Sequence, residues 1–151
     1  MEEKPEKKIA HLQLINQSIV KTSSACLTVK GWCVAFVSAF VGWGLHGLSV
    51  PSGLLIGLYV VALFLAVDSY ILAHEDNYKR FYEEVRKKDE SAIDFLLRPN
   101  DATFQEEVFA WRQALGNPRN RIFYGLMGGA IVLAVAAAGI PWPSLWSKVF
   151  G

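Results

Sequence analysis

Asp68 stands alone as a formal charge in the apolar run Gly53–Ala73 (GLLIGLYVVALFLAVDSYILA). A carboxylate at the centre of a membrane helix costs about 2.5–3.5 kcal/mol, and less near an end. Such residues face a bundle interior or a wet cavity and have partners. Lys30, just before the apolar run that starts at Gly31, is the first candidate cation. Arg121, just before the run that starts at Ile122, is the second. Two roles follow for Asp68: a structural ion pair that fixes helix register, or a charge at a pore mouth or gate.

Other reactive residues do not assemble into a site. His11, His46 and His74 lack metal-ligand spacing. His74, Glu75 and Asp76 are adjacent, and adjacent residues diverge around a helix. Ser23 and Ser24 have no Asp–His arrangement to activate them, and Glu83-Glu84 and Glu106-Glu107 read as solvated faces. There is no Gly-rich phosphate loop and no CxxC. An enzyme is not expected, and neither a cofactor nor a metal. The net charge of +1 gives no case for nucleic acid as a partner.

These residues must be positioned by helices in a lipid bilayer. Of the 151 residues 52% are apolar, and the charged fraction is 19%, against about 25% in soluble chains. Mean hydropathy is +0.26. The apolar residues form three blocks, residues 31–50, 53–73 and 122–140, each near the 20 or so residues a bilayer core requires. A chain this small could not wrap three such helices in a soluble core. The first block begins thirty residues in, behind a polar amphipathic stretch, so it is not read as a signal peptide. The fold class is therefore all-α: an integral membrane protein with three transmembrane helices and extended cytoplasmic helices.

Charge orients the spans. Residues 1–30 carry Lys4, Lys7, Lys8, Lys21 and Lys30, and residues 74–121 carry nine more Lys/Arg, whereas residues 46–52 carry none and the tail only Lys148. The positive-inside rule places the N-terminus and residues 74–121 in the cytoplasm of a bacterial inner membrane and the C-terminus outside. Cys26 and Cys33 then lie on the reducing side or in the inner leaflet, where no disulfide is expected. Trp32, Tyr70, Phe123 and Tyr124 mark the inner interface; Trp43, Trp142 and Trp146 mark the outer one. Residues 141–151 read as an outer interfacial tail.

On the cytoplasmic side, Ile9, Leu12, Ile15, Asn16, Ile19 and Val20 recur at helical spacing. Pro5 suits a first turn. No Gly or Pro interrupts residues 6–30, so this amphipathic helix is expected to run straight into the membrane. Likewise His74 to Lys88 extends the second span by about 22 Å. Its aromatic face, Tyr78, Phe81, Tyr82 and Val85, joins Trp111 as the expected surface for a cytoplasmic partner, with a small-molecule signal as the other candidate. A short piece, Ala92 to Leu97, ends at Arg98-Pro99. Thr103 to Glu106 has the form of a capping box, opening a helix whose buried face would be Phe104, Val108, Trp111 and Leu115. Gly116 and Pro118 close it.

Small residues recur four apart in the spans: Ala35 and Ala39, Ser38 and Gly42, Gly125 and Gly129, and Ala130, Ala134 and Ala138. Such faces admit close helix approach. A homo-oligomer is expected, with Gly42, Gly125 and Gly129 as packing positions.

The run Lys8-Ile9-Ala10-His11-Leu12-Gln13-Leu14-Ile15-Asn16-Gln17-Ser18-Ile19, followed by Lys30-Gly31-Trp32, resembles a family of small bacterial three-helix membrane proteins of unassigned function. Asp68-Ser69-Tyr70, Glu75, Tyr78 through Tyr82 to Val85-Arg86, and Phe123-Tyr124 extend the likeness over nearly the whole chain. Phe81-Tyr82 departs from it, since the family more often has Leu-Tyr there. The layout also looks like that of small transmembrane effectors near nucleotide-signalling antiviral systems and of octameric accessory membrane proteins. The likeness implies an oligomeric inner-membrane effector that forms a pore or permeabilises the membrane in antiviral defence. The rival expectation is a non-catalytic scaffold that docks a cytoplasmic protein.

Overall fold

A computed structural model describes residues 6–44, 49–89 and 104–138. They form four α-helices in chain order: α1 (Glu6–Ala39), α2 (Val50–Lys87), α3 (Phe104–Leu115) and α4 (Pro118–Ala138). A π-helical turn, Phe40–Gly44, ends α1. The described residues contain no strand. α1, α2 and α4 are long and apolar enough to cross a membrane, and most of each apolar stretch faces outward. The chain is an all-α, multi-pass membrane protein.

α1 continues unbroken through residues 6–39, and α2 spans 38 residues, or about 57 Å. A hydrocarbon core is only about 30 Å thick. Both helices therefore extend well beyond it, at the end that carries the basic residues. α2 begins at Val50, ahead of the apolar run that opens at Gly53, because Ser49 caps it and Pro51 sits in the first turn. The Ser49 hydroxyl accepts the Ser52 N–H at 3.4 Å, which occupies one of the otherwise unpaired first-turn donors. α4 likewise begins before its apolar run. Asn117 accepts the Arg119 N–H through Oδ1 at 3.0 Å, and Pro118, whose fixed φ suits a first helical residue, opens the helix rather than merely closing the one before it.

Three clusters hold the helices together. In the bundle, Cys33, Val37 and Phe40 of α1 and its π turn meet Val61 of α2 and Tyr124, Ile131 and Val135 of α4. Gly57 permits this approach: a Cβ there would lie 2.7 Å from Ile131 Cγ2. A second cluster, Cys26, Leu72, Ala73 and Ala114, fastens α3 to α1 and α2. The third, Ile15, Phe81 and Val85 with Leu12, Ile19 and Tyr82 around it, zips the extensions of α1 and α2 into an antiparallel arm. His11 meets the Phe81 ring edge-on at 5.9 Å. At the arm's tip, Lys8 Nζ donates to the Lys88 carbonyl at 2.8 Å, a cation where the C-terminal end of a helix favours one.

The arm corrects the expected partner surface. Phe81 is buried against α1, and Tyr82 packs on the same cluster. Tyr78 is half-buried. Trp111 is half-buried too, and its indole N–H donates to the Ala66 carbonyl at 3.0 Å. Phe81 and Tyr82 are taken up within the subunit because α1 supplies a matching apolar stripe, and Trp111 is bonded to α2. The buried face of α3 also centres on Ala110 and Ala114 rather than on the larger residues beside them. Alanines let α3 lie close to α2; Val108, Trp111 and Leu115 flank that contact half-buried. The capping residue Thr103, the Phe104 side chain, residues 92–97 and the tail 141–151 lie outside what the structure describes.

Candidate functional site

Three helices bring polar groups together inside the bundle. Asp68 sits on the face of α2 that crosses α1, and its side chain has no exposed surface. Lys30 Nζ bonds Asp68 Oδ2 while remaining 22% exposed. The four-carbon stem of Lys30 thus keeps one side of its ammonium accessible. The same ammonium lies 5.9 Å from the centre of the Phe123 ring of α4, close enough for a favourable cation–π contact. One residue beyond Asp68, buried Ser69 accepts a hydrogen bond from Asn120 Nδ2 at 3.3 Å. Asn120 is itself 1% exposed. The result is an ionic link between α1 and α2 and an amide–hydroxyl link between α2 and α4, on consecutive residues of α2.

Tyr124, one turn along α4 from Asn120, is buried with its ring edge-on to Phe123 at 5.0 Å. It lies within electrostatic reach of Asp68, as does Cys26 of α1. The buried Tyr124 hydroxyl and the Cys26 thiol are both hydrogen-bonding neighbours of Asp68, so Lys30 is not the only polar group beside it. Cys26 and Cys33 are both free thiols.

Of the three charges singled out, Asp68 and Lys30 meet and Arg121 does not join them. Arg121 is exposed. Asn120 takes the inward position, and the next residue points about 100° away around the helix. Asp68 is enclosed on all sides by its own subunit, so it lines no open path through a single chain. Gly42, Gly125 and Gly129 also differ from an intramolecular packing role: a Cβ at each would meet nothing within 4 Å. They leave smooth patches on the outer surface, and the glycine that admits a neighbouring helix is Gly57.

Ser69, Asn120 and Tyr124 are the members that composition and spacing miss. Ser69 adjoins Asp68, and Asn120 is the last uncharged polar residue before the third apolar run; an antiparallel alignment of the two helices from their basic ends would have placed them at one level. Tyr124 reads as an interfacial aromatic, yet it points inward, into the cluster with Cys33, Val37 and Ile131.

A second, smaller polar recess lies between α2 and α3, lined by Asp76, Asn77, Arg80, Gln113 and Asn117, with about 80 Å³ of space. That is well below the roughly 300 Å³ at which ligand pockets for drug-sized molecules begin. Among the described residues no three His, Cys, Asp or Glu side chains are grouped to hold a metal ion. No known protein family, curated protein or solved structure matches this chain.

Proposed function

We propose that this protein is a non-catalytic subunit of an oligomeric inner-membrane effector, one that permeabilises the bacterial membrane as part of antiviral defence. The observation that carries the reading is mechanical. α1 and α2 run without a break from the apolar bundle into the basic arm, and the Lys30–Asp68 and Ser69–Asn120 links stand where arm and bundle join. A displacement of the arm by a cytoplasmic protein or small-molecule signal would be delivered directly to all three membrane helices. Because Asp68 is enclosed, the permeable path in this reading runs between subunits.

Expression from a tight promoter, followed by dye entry and membrane potential, tests this. Loss of potential that depends on an intact arm is the expected result. A fully assembled protein that never depolarises cells, with or without the infection signal, would refute the effector.

The sealed ion pair also favours a second reading, a scaffold that stays closed and docks a cytoplasmic protein on the arm. The two separate cleanly, since a scaffold leaves the membrane potential untouched while loss of the arm still abolishes its cellular role.

A further inference from the structure

The small recess between α2 and α3 lies where the apolar runs end. On α2, Asp76 and Arg80 stand three and seven residues beyond Ala73, the last residue of its apolar run, or about 5–10 Å. On the α4 side, Asn117 stands five residues ahead of Ile122, where that run opens, or about 7 Å. The headgroup layer of a bilayer extends about 5–8 Å beyond the hydrocarbon core on each side. Two helices thus place the recess independently in that layer.

The lining is polar and mixed in charge. Asp76 and Arg80 are its charged members, and Asn77, Gln113 and Asn117 add carboxamides. Ala73, Ala110 and Ala114 complete it, their methyl groups leaving space that larger side chains would fill. Asp76 and Arg80 are four apart on one helix, in the order that favours an ion pair, yet among the described residues they form none with each other. Lys79 reaches Asp76 only at 3.9 Å and bonds Glu75 at 2.5 Å instead. Among the described residues no ion pair or side-chain hydrogen bond engages Arg80, Asn77 or Gln113. Asn117 Oδ1 is taken by the Arg119 N–H, which leaves its amide nitrogen to donate.

One carboxylate, one guanidinium and several amide donors match a ligand that carries both charges. An anion alone would meet Asp76 as well as Arg80, and a cation alone would meet Arg80 as well as Asp76. A phosphate with an ammonium a few bonds away satisfies both. The guanidinium and the amides donate to phosphate oxygens, and the carboxylate accepts from the ammonium. The space of about 80 Å³ suits a group of that size and not a drug-sized molecule.

We infer that this recess binds the phosphoethanolamine headgroup of a membrane lipid, with Arg80 on the phosphate and Asp76 on the ammonium. Its depth selects the lipid over free phosphoethanolamine as the source. A site of this kind requires only that the helices span the membrane, and so stands apart from the effector reading.

Native mass spectrometry tests the site, with delipidated full-length protein in detergent titrated with phosphatidylethanolamine or phosphatidylglycerol. The wild type should bind phosphatidylethanolamine about tenfold more tightly than phosphatidylglycerol. Arg80→Gln and Asp76→Asn, both at exposed positions, should each weaken phosphatidylethanolamine binding about tenfold. Arg86→Gln, exposed but outside the recess, should leave it unchanged. Unchanged or tighter phosphatidylethanolamine binding by Asp76→Asn would overturn the inference in favour of a simple anion site. Equal binding of the two lipids, unaffected by either substitution, would overturn it in favour of non-specific lipid around the spans. Displacement of the bound lipid by free phosphoethanolamine, which lacks acyl chains, would overturn the lipid as the source in favour of a soluble ligand of the same chemistry.

Discussion

Lys30 and Asp68 are bonded to each other but stand in unequal surroundings, and that inequality governs what each substitution does. Asp68→Ala leaves an ammonium that already reaches the surface and can snorkel to headgroups. The loss should be roughly 1–3 kcal/mol. Lys30→Ala strands a carboxylate with no exposed surface, a loss of about 3–5 kcal/mol. Replacing both, as Lys30→Met with Asp68→Leu, should recover most of it, since a buried pair and an apolar substitute are often close in energy. Unfolding by denaturing detergent measures all three. Equal losses for the two single changes would mean that the asymmetry of burial is irrelevant. Gly57 gives a second contrast at this scale. Gly57→Ala places a methyl carbon 2.7 Å from Ile131 Cγ2, and overpacking of this kind costs about 1–3 kcal/mol. Ile131→Ala in the same chain should relieve part of that strain. Gly125→Ala, with open space around it, should leave the monomer's stability unchanged. If Gly57→Ala is as benign as Gly125→Ala in the same melt, the close approach of α2 and α4 is wrong.

At the scale of elements, the helices were legible and their faces were not. Three apolar blocks, two uninterrupted amphipathic extensions and a short helix near residue 104 all follow from period and breakers. Asp68 and Lys30 were legible as partners because a lone charge in an apolar run needs one. What the pattern did not reveal was the fate of Phe81 and Tyr82, which pack on α1. A helical stripe has the same pattern whether it meets a foreign protein or another stripe of its own chain, and Ile15 with His11 supplies the latter here. Gly57, Ser69 and Asn120 were missed for a related reason: their roles arise only once α2 and α4 are aligned in depth. Trp111 tests the placement of α3. Trp111→Phe keeps the ring and deletes the donor to the Ala66 carbonyl. A net hydrogen bond is worth about 1 kcal/mol, so amide exchange along α3 should quicken about fivefold while α1 and α2 are unaffected. Unchanged exchange in α3 would show that the indole contact does not hold it.

For the whole molecule, the fold adds geometry to the charge argument about orientation. Lys8 reaches the Lys88 carbonyl across the arm, so the basic N-terminal stretch and the basic extension of α2 lie at the same end. α4 starts from that end as well, because Asn120 bonds Ser69 and the chain then runs antiparallel to α2 as far as Ile131 beside Gly57. Ten of the Lys/Arg residues, Lys7, Lys8, Lys79, Arg80, Arg86, Lys87, Lys88, Arg112, Arg119 and Arg121, belong to segments at or near that end. The opposite end, around Gly42, Ser49 and Ala138, carries no charge among the described residues. On the rule that basic loops stay on the cytoplasmic side, we propose the orientation with the arm inside. A reporter that is active only outside the cytoplasm should give signal when fused after Gly151 and none when fused near Asn100. A cytoplasm-restricted reporter at the same two sites should give the reverse. Signal outside from the Asn100 fusion would invert the protein, leaving its packing untouched but placing the arm where no cytoplasmic signal could reach it.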